Sequence, residues 1–261
     1  NVAGNSVGAI VHVKEKRIDL LKDVVVNSIE ADQNGEFANK DIKSAKMTAN
    51  YAMFDQTAGK VELKENVFID VTPSGQNKQF TQPTEIKSNN ATAFFTGKEI
   101  RQIELDGNVD VKQKPVNSKY TNTKANRAKV TLDKELKTLE LFDNVEIEST
   151  ANDSKPTKIN TSYALYQKDA DRFELKNGVH ILTSQDKQIV DIKSNDAIYE
   201  QKDGKIFLTG NAEITQGNDY IKGDQLNADL FPTKQLKYAV ANGNAYLKQI
   251  EKDRTTEISA P

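Results

Sequence analysis

A seven-residue phrase recurs along this chain. Leu208-Thr-Gly-Asn-Ala-Glu-Ile214 has clear relatives in Leu63-Lys-Glu-Asn-Val-Phe-Ile69 and Leu105-Asp-Gly-Asn-Val-Asp-Val111. Two more stand at Leu141-Phe-Asp-Asn-Val-Glu-Ile147 and Leu175-Lys-Asn-Gly-Val-His-Ile181, with looser copies at Leu20 to Val26 and Ala241-Asn-Gly-Asn-Ala-Tyr-Leu247. Successive leucines of the clear copies lie 42, 36, 34 and 33 residues apart. A drifting period of this size marks a chain assembled from one supersecondary unit. About half a period before each copy stands a second element of the form Ile-x-small-x-x-apolar. It is read at Ile42, Ile86, Ile159, Ile192 and Ile221, with Tyr51, Phe95, Tyr166, Tyr199 and Phe231 soon after.

Within each unit the apolar period is two. Ile103, Leu105, Val109 and Val111 share one parity, and Glu104, Asp106, Asn108 and Asp110 the other. Leu139, Leu141, Val145 and Ile147 repeat the pattern, as do Phe173, Leu175, Val179 and Ile181. This is a strand with one dry and one wet face. The centre of each stripe is Glu65, Gly107, Asp143, Asn177 or Gly210, residue types suited to a bulge or a bend. A tight hairpin at Gly-Asn competes. Because the parity survives across the centre, one bent strand of about nine residues is preferred. Asn occurs 24 times against 13 Gly, which fits many short turns. Thr72–Glu85, Lys112–Thr123 and Ser149–Lys158 read as long protruding loops. Asp133 to Leu141 has helical residue types but keeps the strand register.

The expected fold is all-β: an open, elongated antiparallel β-jelly roll of about seven two-strand repeats and some fourteen to sixteen strands. One domain is expected over residues 1–261, its repeat best defined at 42–250. Propeller blades need four strands per unit and β-helix coils about three, so both fit poorly. Only 36% of the residues are apolar, which suits a thin core spread along an elongated body. With 36 basic and 38 acidic residues the net charge is −2, and no nucleic-acid partner is expected. No apolar run approaches the ~18 residues of a membrane-spanning helix. Asn1 to Ile10 has neither a basic segment nor an apolar one, so an export signal or anchor is expected to be removed or absent.

Ile206-Phe-Leu-Thr-Gly-Asn-Ala-Glu-Ile-Thr-Gln-Gly217, followed by Tyr220-Ile-Lys-Gly-Asp-Gln-Leu226, resembles the hallmark of the OstA-like family. That family includes the lipopolysaccharide-transport proteins LptA and LptC and the N-terminal domain of LptD. The match is best over Phe173–Leu247. Its first copies depart by carrying Glu65-Asn66 and Asp143-Asn144 in place of Gly-Asn. The resemblance implies a twisted jelly roll whose groove shields lipid acyl chains and whose ends stack on partners to bridge the periplasm. It further implies lipopolysaccharide or a similar amphiphile as ligand. Other OstA-like proteins, or a second copy, would dock on the terminal strand edges. Any inner-membrane tether would lie outside this chain.

Catalysis finds little support. The chain has no Cys, and its two histidines, His12 and His180, sit on the wet parity as surface residues. Asp106, Asp110 and Glu146 alternate with apolar residues and read as a solvated face. No cofactor, metal or catalytic residue is expected, and the protein is expected not to be an enzyme. The functional candidates are the apolar stripes: Val67, Ile69, Ile103, Leu105, Val109, Val111, Leu141, Val145, Ile147, Leu175, Val179, Ile181, Leu208, Ala212 and Ile214. Small inward residues such as Ala91, Ala128, Ala164, Ala197, Ala212 and Ala228 leave room for a slot between sheets that otherwise pack about 10 Å apart. Lys43, Lys87, Lys193 and Lys222 are candidates for lipid phosphates, though edge protection is their commoner role. The rival function is a structural or adhesive β-repeat protein of the cell surface with a dry core. A polysaccharide-processing β-helix enzyme is disfavoured, because no Asp, Arg or His cluster recurs among the units.

Overall fold

A computed structural model describes residues 2–29, 42–73, 82–97, 99–115, 119–133, 135–150, 155–185, 188–231, 236–251 and 254–261. Strands make up 84% of these residues and none is helical. The chain divides into two compact units, Asn1–Leu136 and Lys137–Pro261. The first holds β1 (Val2–Asn5), β2 (Gly8–His12), β3 (Arg17–Ile29), β4 (Ile42–Asp55), β5 (Lys60–Pro73), β6 (Thr84–Thr96), β7 (Glu99–Gln113) and β8 (Tyr120–Asp133). From β3 to β8 each strand pairs antiparallel with the next, while β1 and β2 lie on different halves of β3.

The second unit opens with β9 (Glu135–Thr150), β10 (Thr157–Gln167), β11 (Arg172–Lys176), β12 (Val179–Gln185), β13 (Gln188–Ser194) and β14 (Asp196–Glu200). It closes with β15 (Lys205–Gln216), β16 (Asp219–Leu230), β17 (Leu236–Asn242), β18 (Ala245–Glu251) and β19 (Arg254–Ala260). β10 pairs with β9 on one side and with β11 and β12 on the other; β14 and β13 continue those two halves and both pair with β15. β16 follows, carrying β17 on one half and β18 on the other, and β19 pairs with β18. Counting β1/β2, β11/β12, β13/β14 and β17/β18 each as one bent strand leaves fifteen among the described residues. Asp133 to Leu141 is extended at its described residues. Placing Leu139 and Leu141 on one face needs a period of two, and that outweighs helical propensity.

The bend in each long strand is two consecutive residues in the left-handed region. Their φ values are 61° and 56° at Glu65–Asn66, 74° and 53° at Gly107–Asn108, 59° and 53° at Asp143–Asn144, and 75° and 48° at Gly210–Asn211. Lys22–Asp23, Asn177–Gly178 and Gly243–Asn244 repeat the conformation. Only Gly, Asn and Asp visit this region readily, which accounts for most of the residues found there. Two such residues in sequence also suit a type I′ hairpin. A hairpin at Gly107–Asn108 would pair Leu105 with Asp110 and so put them on the same face. Instead both halves of β7 stay paired with β6 and β8, and the ladder slips at the corner. The strands are longer than the nine residues expected, 14 in β5, 15 in β7 and 16 in β9, because the ladder runs into the polar flanks. The connections read as long loops are correspondingly shorter. Residues 74–81, 116–118 and 151–154, in the middle of those connections, lie outside the described residues.

On the neighbouring strand each corner meets a small residue followed by a polar one: Ala49-Asn50, Ser88-Asn89, Ala125-Asn126, Thr161-Ser162, Ser194-Asn195 and Gly223-Asp224. The first copy therefore begins at Met47, not at Ile42, since Thr48 and Tyr51 flank the slip opposite Phe68 and Lys64. Polar side chains tie adjacent corners. Asn108 Nδ2 donates to Asn89 Oδ1 at 3.3 Å, Asn50 Nδ2 to Glu65 Oε2 at 3.1 Å, and Asn244 Nδ2 to Asp224 Oδ2 at 3.0 Å.

The core lies beside the corners on one face, here called inner. A row crosses the first unit as Leu20, Ala52, Leu63, Ala91, Leu105 and Ala128. Its counterpart is Leu141, Ala164, Leu175, Ala197, Leu208 and Leu226. All but Leu20 are buried. Large residues on one strand meet small ones on the next, which fills space without overpacking.

At Gly210 an added Cβ would sit 2.8 Å from Asn195 Cγ and 2.9 Å from its Cβ, on top of the left-handed φ. Gly210→Val is expected to destabilise by about 2 kcal/mol or more, and Asn211→Gly by less than about 0.5 kcal/mol. Urea midpoints of the two variants check this; equal losses would remove the corner from the account.

Candidate functional site

Each corner divides a strand into two arms whose inner faces carry the candidate residues. All fifteen lie on the inner face, but in two environments. Val67, Leu105, Val109, Leu141, Val145, Leu175, Val179, Leu208 and Ala212 adjoin a corner and are buried. Ile69, Ile103, Val111, Ile147, Ile181 and Ile214 stand one inner position further out and are half-buried.

Strand register joins the outer set into rows. In the second unit Ile147, Ile159, Ile181, Ile192, Ile214, Ile221 and Leu247 pair in succession across the sheet, every one half-buried. The corresponding row of the first unit is Met47, Ile69, Ile86, Val111 and Thr123. Beyond these rows burial returns at Val71, Thr84 and Val190. The isoleucines thus form a half-buried belt outside the buried rows that adjoin the corners. On the other arm of the second unit the belt continues as Leu139, Tyr166, Phe173, Tyr199 and Ile206. Tyr166 and Phe173 stack at 4.5 Å between centroids, and Phe173 and Tyr199 at 6.4 Å.

The stripe reading missed half of this belt. Ile86, Ile159, Ile192 and Ile221 were visible as the first residue of the second repeated element. They share a wall with Ile69, Ile147, Ile181 and Ile214 only through the register. Tyr166, Phe173 and Tyr199 likewise keep inner parity.

The outer face is charged and internally matched. Lys193 lies 3.6 Å from Asp191, and Lys112 3.1 Å from Asp110. Lys87 sits over the Phe68 ring at 5.9 Å and Lys222 over Tyr246 at 5.7 Å. Three of the four lysines considered for phosphate contact, Lys87, Lys193 and Lys222, are therefore engaged on the outer face, opposite the apolar belt, and Lys43 is exposed. Such exposed pairs contribute about 0–1 kcal/mol each. Neither histidine is a bare surface residue. His180 Nε2 is 3.0 Å from Asp191 Oδ1, and His12 Nε2 is 2.9 Å from Asp19 Oδ2. Among the described residues no group of three or more His, Cys, Asp or Glu is placed to hold a metal ion.

Asp19 is buried on the outer face, where it also accepts hydrogen bonds from Arg17 Nη2 at 3.0 Å and from the Tyr51 hydroxyl at 2.9 Å. Burial pushes its carboxyl up. The hydrogen bonds from Tyr51, His12 and Arg17, with the charge of Arg17, outweigh that and hold it below its ordinary value.

Residues 117–181 match the family model described as lipopolysaccharide-assembly, LptC-related. Residues 191–260 match that described as LptA/(LptD N-terminal domain) LPS transport protein. Two stretches of the chain are thus similar to Lpt-type, OstA-like domains. The second stretch holds the isoleucine row from Ile192 to Leu247. Among solved structures, one match is LptH of Pseudomonas aeruginosa, the LptA-homologous periplasmic component of the lipopolysaccharide transport device. It is 14% identical with a TM-score of 0.27, covering 69% of this chain and 96% of that one. No curated protein sequence matches.

A carboxyl held below its unfolded value stabilises the fold above that value, and the contribution fades as pH falls through the folded value. Asp19→Asn is thus expected to lower the urea midpoint at neutral pH, with a deficit that closes in acid. Deficits of equal size at both pH values would rule out an ionic origin.

Proposed function

We infer that this chain is a non-enzymatic component of lipopolysaccharide transport in the periplasm, which shields the acyl chains of the lipid along the inner faces of its strands. The half-buried isoleucine belt carries this reading. A packed core of aliphatic residues excludes water throughout its depth, whereas here a continuous apolar row of the second unit stays half-buried outside the buried row that adjoins the corners. Methylenes laid along it gain about 0.8 kcal/mol each. The interaction has no direction, so a tail can slide from one isoleucine to the next without breaking hydrogen bonds. Similarity of residues 117–181 and 191–260 to the two Lpt family models supports the same ligand and compartment. The matched charges of the outer face leave the head group to solvent or to a partner.

The terminal edges support docking of a second module, either another OstA-like protein or a second copy. Among the described residues β1 and β2 pair only with β3, β17 only with β16, and β19 only with β18. No charged residue occurs from Asn1 to Val13, and Val7, Ile10, Val11 and Val13 are exposed, Val13 by 81%. Open edges are ordinarily blunted by lysine or proline. This one is left fit for strand addition.

Photo-crosslinkers at Ile181, Ile192 and Ile214 are expected to label with purified lipopolysaccharide, and those at Lys193 and Thr209 on the outer face are not. Labelling confined to the outer positions, or none where an established carrier labels, would overturn the carrier reading. Val11→Lys is expected to abolish any concentration-dependent rise in mass by light scattering. A rise that survives the lysine would exclude the β2 edge from association.

A further inference from the structure

Among the described residues five polar side chains are buried: Asp19, Thr84, Ser88, Thr161 and Ser194. Four have partners. Asp19 holds the cluster described above, and Thr84 Oγ1 donates to the Gln82 carbonyl at 3.0 Å. Ser88 Oγ donates to the Asn90 carbonyl at 2.9 Å, and Thr161 Oγ1 to the Lys176 carbonyl at 2.8 Å. Ser194 Oγ has no partner. Buried hydroxyls are rarely left so, because they lose their hydrogen bonds to water without replacement.

Packing does not demand a hydroxyl here. The corner-facing position is Ala49, Ala125 or Gly223 in other repeats, so a methyl group or less serves the fold. Ser194 lies on the inner face of β13, opposite Val179 and one inner position nearer the corner than Ile192 of the belt. A tail lying along the belt passes beside it. The neighbours of Ser194 on the inner row, Val179 and Ala212, are apolar and buried.

We propose that Ser194 is a specificity-determining residue of the second unit, selecting acyl chains that carry a hydrogen-bonding substituent such as a hydroxyl over plain chains. The inference rests on the carrier reading and deepens it. Its hydroxyl donates to, or accepts from, the substituent, and a bare hydrocarbon leaves it unsatisfied. No bond is made or broken, so the chain is held with more selectivity but remains free to leave.

The test uses the full chain with tetradecanoic acid and 3-hydroxytetradecanoic acid as probes, measured by calorimetric titration. The native protein is expected to favour the hydroxylated chain by roughly three- to tenfold. Ser194→Ala is expected to erase the preference while keeping or raising affinity for the plain chain, and Ser194→Thr to retain it. Both probes carry the same carboxylate, so the difference isolates the substituent. Plain-chain binding with no preference, or a preference that persists in Ser194→Ala, would overturn the role of Ser194 and leave the carrier reading standing. Binding of neither probe would remove both.

Discussion

Two left-handed residues in mid-strand set the geometry of everything around them. For residues other than glycine this conformation costs about 1–2 kcal/mol each, and among the described residues it occurs in consecutive pairs seven times. The cost is moderated by choice of residue, since ten of the fourteen corner positions are Gly or Asn, and by polar ties such as Asn244 to Asp224. The return is a strand that changes direction while both halves keep their neighbours. A single-residue slip at the same place would exchange the faces and turn the leucines outward.

From the corner outward the interior changes character. Beside it Leu meets Ala and Val meets Ser, Thr or Gly, and the result is dry. One step further, isoleucine stands beside isoleucine and remains accessible. What separates these rows is distance from the corner: the rows beside it are buried, and the next ones out are half-buried in the second unit. The outer face is the inverse, with lysines covering aromatic rings and pairing with carboxylates.

Much of this was legible beforehand. The parity of Leu105 and Val109 about Gly107 favours a bent strand over a hairpin before any coordinates, the ladder of β7 decides it, and the helical residue types before Leu141 yield to the same register. The second repeated element was harder. Between Ile42 and Ala52 an apolar residue precedes a small one twice, at Ile42 and at Met47, and only pairing against Glu65–Asn66 decides between them. The strand ends were also misjudged. Thr84, Gln113 and Thr157 are polar, yet a ladder is made of backbone hydrogen bonds and continues past the last apolar side chain. His12 and His180 kept their wet parity, while the carboxylates beside them come from other positions in the chain and left no local mark.

The sequence by itself determined the repeat, the alternation of faces and the site of each corner. These depend on local conformational preference and on a period of two, both written in neighbouring residues. Tertiary structure alone decided which apolar row stays accessible, which isoleucines share a wall, and that the hydroxyl of Ser194 has no partner while those of Ser88 and Thr161 do. Accessibility depends on what another strand places opposite, and Thr161 reaches its carbonyl partner, Lys176, only across the ladder.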